Sequence, residues 1–102
     1  GGNATEEKTA DALRLVLSKP GLDGVFINVF GGINNCEFMG RGISQAYDEL
    51  KPECPIVVKM RGHWQEEGWA LLEERDIPLV KNGTTAEGVT LLMDLIKAKK
   101  EQ

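Results

Sequence analysis

The 102 residues are enough for a single domain, since domains usually need about 100 to 150 residues to bury a core. Hydrophobic residues make up 41% of the chain and charged residues 27%, which is typical of a globular domain and not of a disordered segment. The net charge of -4 argues against general binding of nucleic acid or of an anionic membrane. An anionic ligand must therefore be held by a local site.

Nothing in the sequence predicts export or membrane insertion. Cys36 and Cys54 do not form a spaced disulfide framework, and no basic segment followed by an apolar segment opens the chain. The longest nearly unbroken apolar run, residues 25–30, is far shorter than the ~20 residues that span a bilayer. We expect a cytoplasmic location, or the mitochondrial matrix in a eukaryote.

The first half of the chain predicts a helix, a strand and a second helix. Apolar residues at helical spacing indicate an amphipathic helix over residues 5–18, with Asn3 or Thr5 as its N-cap. Residues 25–30 are apolar on both alternating faces, as expected for a buried parallel strand. The second helix begins after Gly31 and Gly32. Its predicted buried stripe consists of Met39, Ile43, Ala46, Tyr47 and Leu50.

The second half repeats this alternation. Residues 56–60 predict another buried strand that ends at Gly62, and residues 77–80 predict a short third strand after a helix. Thr84 and Glu87 have the spacing of a capping box that opens a last helix. The predicted buried stripe of that helix consists of Val89, Leu92, Met93 and Ile96.

Strands that alternate with helices of this length predict a doubly wound α/β fold, in which helices cover both faces of a parallel sheet. Ligands of such folds bind beyond the carboxyl ends of the strands. The loops to consider are therefore residues 31–35, 61–64 and 81–85.

The 31–35 turn is the most informative of these loops. Gly31 and Gly32 let the backbone approach a ligand closely, and the free amides and dipole of the helix that follows favour an anion. Asn34 and Asn35 add side-chain donors, and either can cap the helix, whereas Glu37 in the first turn opposes an anion. The bare pattern is also that of a plain tight turn, and it is neither a Walker loop nor a dinucleotide fingerprint.

Three runs of sequence carry a more specific resemblance: GGNAT, VFINVFGGINNCEFMGRGI and PIVVKMRGHWQEEG. In this order they are similar to the carboxy-terminal CoA-ligase domain of the β subunits of succinyl-CoA synthetases. The family pieces read approximately Gly-Gly-Gly-Ala-Thr, then Asn-Ile-Phe-Gly-Gly-Ile with a Cys three residues later, then a strand ending in Arg-Leu-Glu-Gly. The resemblance covers nearly the whole chain and implies a flavodoxin-like, three-layer α/β/α fold, here with three strands and four helices.

The resemblance implies a part of an acid–thiol ligase that forms acyl-CoA from a dicarboxylic acid, through an acyl phosphate and a phosphohistidine on a partner α subunit. The whole enzyme is expected to use ATP or GTP with Mg and coenzyme A, none of them held by this chain alone. Transferred to this sequence, Gly31 and Gly32 form the turn, and the amides of Gly32, Ile33 and Asn34 line the phosphate and acid pocket beside Asn35. No residue of the chain is expected to be a catalytic acid, base or nucleophile, or a metal ligand.

Asn34 and Asn35 depart from the family pattern, which usually has an apolar or small residue followed by Arg. The loss of a positive charge favours a more polar substrate, because two carboxamides offer extra hydrogen bonds to a hydroxylated diacid. We expect succinate as the acid, with malate, as in related malate-CoA ligases, as the alternative.

Other residues invite less specific roles. His63, the only histidine, is expected to be a capping or surface residue, because the family's phosphohistidine belongs to the α subunit. Cys36 is expected to pack in the interior, and Cys54 to be a loop thiol. A flavodoxin-like regulatory or interaction module is the alternative of another class, although a receiver domain needs acidic residues at the strand ends, which this sequence lacks.

A complete domain of this family has five parallel strands in the order 2-1-3-4-5, whereas this chain predicts three. We therefore expect residues 1–102 to be the carboxy-terminal part of one CoA-ligase domain, with two strands and an ATP-grasp domain outside the chain. The strand over residues 25–30 is then an exposed edge, and we expect it to pair with a second copy or to exchange elements.

Overall fold

The structure is a computed structural model that describes residues 2–31 and 35–102. Four helices and three strands alternate in the order that the sequence predicts. They are α1 (Gly2–Leu17), β1 (Val25–Gly31), α2 (Cys36–Leu50), β2 (Ile56–Gly62), α3 (Gln65–Glu73), β3 (Leu79–Val80) and α4 (Thr85–Lys100). No helix in these two stretches is both long and apolar enough to cross a bilayer.

The three strands form one parallel sheet in the order β1-β2-β3, which confirms the predicted α/β fold. β1 and β2 are paired along their full lengths, from Val25 beside Ile56 to Gly31 beside Gly62. Val57, Val58 and Met60 of β2 are fully buried, so the middle strand is covered on both faces. Among the described residues, β1 is an outer strand of this sheet.

The helices lie on both faces of this sheet. α1, α2 and α3 pack side by side on one face, over a core that includes Leu13, Val29 and Ile43. α4 lies on the other face, where Gly88 sits against the ring of Phe26 and beside Val80. Phe26 alternates with Val25 and Ile27 along β1, so the two helix layers contact opposite sides of the same strand.

Two charged pairs join α2 to its neighbours at the surface. Arg14 of α1 donates to both carboxylate oxygens of Glu49, at 2.9 and 2.7 Å, and Arg75 donates to Asp48 in the same two-pronged way. Hydrogen bonding to these guanidinium groups holds the pKa of Glu49 and of Asp48 below its ordinary value. The pairs therefore stabilise the fold above the ordinary carboxyl pKa and lose that effect as the pH falls, although exposed pairs contribute little.

Three sequence-based predictions about the elements need correction. α1 begins at Gly2, so Asn3 and Thr5 lie inside the helix; apolar periodicity does not mark a polar first turn. β3 is only Leu79–Val80, since Pro78 has no amide to donate to a ladder. Leu50, at the end of the predicted α2 stripe, is 46% exposed, because it lies in the last turn.

The α4 stripe is also less buried than its spacing predicts. Leu92 is buried, whereas Val89 is 42% exposed and Met93 is 57% exposed. α4 is the only helix in the described part of the chain that lies on its face of the sheet, so its flank beside β1 has no helix against it. The predicted apolar stripe of α4 is therefore covered by the sheet along one half and exposed along the other.

A methyl group at Gly42 should destabilise the α1–α2 contact. A Cβ placed there would lie 2.5 Å from the carbonyl oxygen of Glu6 and 2.8 Å from the Cβ of Thr9, so the helices would have to move apart. We expect Gly42→Ala to lower the free energy of unfolding by about 1–3 kcal/mol, although Ala favours a helix by about 1 kcal/mol over Gly. Urea unfolding followed by circular dichroism measures this change.

Gln45→Ala is the control, because Gln45 is exposed on the same helix and should change the stability by less than about 0.5 kcal/mol. An unchanged or higher unfolding midpoint for Gly42→Ala would show that α1 and α2 do not approach so closely.

Candidate anion-binding site at the carboxyl edge of the sheet

The described residues of the three loops that the sequence singles out lie at one edge of the sheet, because parallel strands end on the same side. Gly31 and Gly62, the last residues of β1 and β2, are direct neighbours in the ladder. The amide of Cys36, which opens α2, donates to the carbonyl of His63 at 2.9 Å. Arg61 links β2 to the third loop by donating to the carbonyl of Lys81 and to Oδ1 of Asn82.

Asn35 fixes the start of α2. It has extended backbone angles, and its side-chain oxygen accepts a hydrogen bond of 2.7 Å from the amide of Glu37. The prediction that Asn34 or Asn35 caps this helix is thus confirmed for Asn35. The other end of the Asn35 carboxamide, Nδ2, is a hydrogen-bond donor.

The sequence led us to expect free amides in the first turn of α2, but two of these amides are hydrogen-bonded within the protein. The amide of Cys36 is bonded to His63 and that of Glu37 to Asn35. The loops pack against one another, and this tertiary contact is invisible in a local pattern. α2 therefore presents to a ligand mainly the positive end of its dipole. Of the predicted site residues, Gly32, Ile33 and Asn34 lie outside the described residues, and Gly31 ends β1.

The negative charge of Glu37 in the first turn is paired. Its carboxylate accepts a hydrogen bond of 2.6 Å from Arg41, one turn further along α2, and the Arg41 guanidinium lies 5.5 Å from the ring of Phe38. Such an i,i+4 pair leaves less uncompensated negative charge beside the helix N-terminus. Glu37 is thus a weaker obstacle to an anion than the sequence suggests.

The turn between β2 and α3 has two unusual backbone angles, of which the sequence indicates only one. Gly62 has a φ of 137°, which favours glycine, and Trp64 has a left-handed φ of 62°. The amide of Gly62 donates to Oε1 of Gln65, and Nε1 of Trp69 donates to the carbonyl of Met60 at 2.8 Å. A glycine at a strand end was a signal for the first angle, whereas neither the left-handed angle of Trp64 nor the acceptor of the Trp69 indole could be predicted from the sequence.

The single residues behave largely as predicted. His63 is exposed, Cys36 is buried, and Cys54 is half-buried. Trp64 is 59% exposed, whereas Trp69 is half-buried. In residues 2–31 and 35–102, no cluster of His, Cys, Asp and Glu side chains could hold a metal ion. The chemistry that the described part of this edge can support is electrostatic stabilisation of an anion by the positive end of the α2 dipole.

Comparison with known proteins identifies the family. The model of the CoA-ligase family matches residues 1–92. The chain belongs to the CoA-ligase family. The match confirms the resemblance seen in the sequence, and it includes all three loops at the carboxyl edge of the sheet.

Curated relatives of this CoA-ligase chain carry the name succinate–CoA ligase [ADP-forming] subunit beta. The protein from Alkaliphilus oremlandii is 38% identical over 97 residues, which are 95% of this chain and 25% of that protein. The protein from Persephonella marina is 39% identical over 95 residues, which are 93% of this chain and 24% of that protein. The chain thus spans about a quarter of the length of the curated relatives it matches.

Removing the Asn35 cap should loosen the start of α2. We expect Asn35→Ala to lower the free energy of unfolding by about 1 kcal/mol, because the amide of Glu37 loses its acceptor. Asn35→Asp is the matched variant, since its carboxylate can accept the same hydrogen bond and should keep nearly full stability. Chemical denaturation of both variants measures the difference. Equal stability of the Ala and Asp variants would mean that the cap contributes nothing.

Proposed function

We propose that this chain is part of the β subunit of a nucleotide-dependent acid–thiol ligase that forms acyl-CoA, with succinate as the acid. In this function the 31–35 turn binds the phosphoryl group and the acid. The chain supplies no acid, base or nucleophile: it stabilises negative charge as the phosphoryl group is transferred. Membership in the CoA-ligase family and the shared name of the relatives support this proposal.

One observation carries the role of the turn. β1 ends at Gly31, paired with Gly62, and the Asn35 cap starts α2 directly after it, so that the helix N-terminus lies at the carboxyl edge of the sheet. The fixed ends leave residues 32–34 as the link between strand and helix. Amides of such a link, beside the positive end of a dipole, suit a tetrahedral or planar anion.

The preference for the acid follows from the asparagines. Oδ1 of Asn35 is used by the cap, so Asn35 would bind the acid through Nδ2, as a donor to a carboxylate. A donor of this kind suits succinate, and it equally suits the hydroxyl oxygen of malate, which stays the alternative substrate. The ratio of kcat/KM values for the two acids decides between them.

We assign the nucleotide, Mg and coenzyme A to the rest of the ligase, since this chain corresponds to about a quarter of the length of its relatives. The α subunit with its phosphohistidine is the proposed partner, and it would approach the carboxyl edge. Trp64 supports this location, since a tryptophan that is 59% exposed beside the turns is typical of a contact with another protein.

A bulky residue at position 32 should cripple phosphoryl transfer. The test uses a chimeric β subunit, in which this chain replaces the 97 aligned residues of the Alkaliphilus oremlandii relative, assembled with that ligase's α subunit. We expect Gly32→Val to lower kcat about 100-fold or more, because a β-branched side chain would keep the backbone amides from approaching the phosphoryl group closely. The expected size is that of losing one donor to a developing anion. Transfer of labelled phosphate from ATP to the α subunit and formation of succinyl-CoA are both measured.

His63→Asn in the same chimera is the control. His63 is exposed and contributes only its backbone carbonyl to the contact with α2, so this variant should be phosphorylated and turn over normally. Unchanged turnover of Gly32→Val would remove the 31–35 turn from the mechanism. Loss of α-subunit labelling in His63→Asn would instead make His63 a participant in the reaction.

The 102-residue chain by itself should have no ligase turnover. No cluster of its described side chains could hold a metal ion, and the Cys36 thiol at the carboxyl edge is buried, so we expect no activation of nucleotide or acid by this chain alone. A coupled assay with succinate, ATP, Mg and coenzyme A measures this, with the active chimera as the positive control. Measurable succinyl-CoA formation by the isolated chain would contradict the division of roles proposed here.

A further inference from the structure

Arg61 is the one arginine in the described part of the chain without a carboxylate partner. The other three, Arg14, Arg41 and Arg75, each pair with a carboxylate at 2.6 to 2.9 Å. Arg61 is exposed at the end of β2, and its hydrogen bonds go only to a backbone carbonyl and a carboxamide. A positive charge therefore stays uncompensated at the carboxyl edge of a protein whose net charge is -4.

Two of the paired arginines show how this chain binds a carboxylate. In Arg14, Nε and Nη2 donate side by side to the two oxygens of Glu49, while Nη1 donates to a second acceptor. Arg75 binds Asp48 through the same two nitrogens, and its Nη1 donates to the carbonyl of Leu71. In both cases Nη1 fixes the plane of the guanidinium group, and the edge formed by Nε and Nη2 binds the carboxylate in a bidentate manner.

Arg61 has the fixing contacts of this arrangement but no carboxylate. Its Nη1 donates to the carbonyl of Lys81 at 3.2 Å and to Oδ1 of Asn82 at 3.0 Å. Its Nε and Nη2 have no acceptor in residues 2–31 or 35–102. Glu87, the acidic residue in the first turn of α4, lies beside Gly83 and forms no pair with Arg61. The guanidinium group is thus oriented by the loop after β3, with its carboxylate-binding edge available to a ligand.

Arg61 lies next to the 31–35 turn. In the β1–β2 ladder it is the partner of Phe30, the residue before Gly31. Neighbouring strands are about 4.8 Å apart, so Arg61 starts within one side-chain length of the turn. The side chain of Met60 packs into the layer of α1, α2 and α3, so Arg61, the next residue, points to the α4 side. The α2 dipole and the Arg61 charge are therefore two separate positive features of one edge.

The family pattern has a carboxylate where this chain has Arg61. The pattern of the second strand ends in Arg-Leu-Glu-Gly, and with Gly62 as the shared glycine its Glu falls on position 61. At the start of α2 the pattern has Arg, whereas this chain has Asn35. The positive charge that is lost at the first βα turn is thus regained at the second.

We propose that Arg61 binds the second carboxylate of the acid, the one that is not activated, through Nε and Nη2. This role rests on the proposed function, in which the reacting carboxylate lies at the 31–35 turn. A diacid then places both of its charges on positive partners, whereas a monocarboxylic acid leaves the guanidinium group unpaired. Because the loop after β3 already orients Arg61, little side-chain entropy is lost on binding. Arg61 thus selects acids with two carboxylates, which succinate and malate share, and the asparagines act on the hydroxyl group.

Steady-state kinetics of the chimeric ligase tests this role. Arg61→Gln should raise KM for succinate about 10- to 100-fold and change kcat by less than about twofold, because a charged bidentate contact is lost away from the reacting atoms. The Ki of butyrate, which has the same carbon chain and one carboxylate, should stay unchanged. Lys97→Gln is the control: it removes one positive charge from the last turn of α4, far from the carboxyl edge, and should leave all three constants unchanged.

Three results in the chimera would overturn the role of Arg61. An unchanged KM for succinate in an active chimera would do so and leave the proposed function intact. Equal weakening of succinate and butyrate would make Arg61 a structural residue. Weaker labelling of the α subunit from ATP, restored at higher α-subunit concentration, would assign Arg61 to a carboxylate of that subunit. A chimera that is inactive with Arg61 in place would instead count against the proposed function.

NMR titration of the 102-residue chain tests the carboxylate-binding edge without turnover. The probe is acetate, exchanged for chloride at constant ionic strength, and the signals are the Nε–H groups of the arginines. The Arg61 signal, assigned by its loss in Arg61→Gln, should shift with a dissociation constant below about 100 mM, tighter than an ordinary exposed ion pair. The Arg14 and Arg75 signals should not move, because their edges already bind carboxylates. An unmoved Arg61 signal, or equal shifts of all arginines, would overturn the proposal whether or not the chimera is active.

Discussion

The full-length pairing of β1 with β2 is the constraint on which the rest of the structure depends. Seven register pairs bring Gly31 beside Gly62, so both strands end at one level and both βα turns start there. The bond from the amide of Cys36 to the carbonyl of His63 is possible only because the two turns are level. A shift of one residue would turn every side chain of β1 to the opposite face and break this contact. The position of the candidate site therefore depends first on the register between β1 and β2, and only then on the residues of the loop that follows β1.

Close packing of the helix layer makes that register rigid. α2 reaches α1 at Gly42 and α3 at Gly40, where an added Cβ would lie 3.0 Å from the Cα of Gly68. Gly68 in turn lies under the sulfur of Met60 and the carbonyl of Cys36. The glycines thus let three helices and the middle strand meet with backbone in contact. Because Cys36 is the first residue of α2, this packing also holds the helix N-terminus at the edge of the sheet.

The sequence predicts those features that depend on local chemistry. The alternation of helices and strands, the Asn35 cap and the Thr84 cap follow from periodicity and from side chains that bond their own backbone; Oγ1 of Thr84 indeed accepts from the amide of Glu87. Burial of Val89 and Met93 could not be decided in this way, because a helix pattern gives the apolar face but not what covers it. The hydrogen bond that uses the amide of Cys36 was equally hidden, since its acceptor, the carbonyl of His63, lies 27 positions further along the chain.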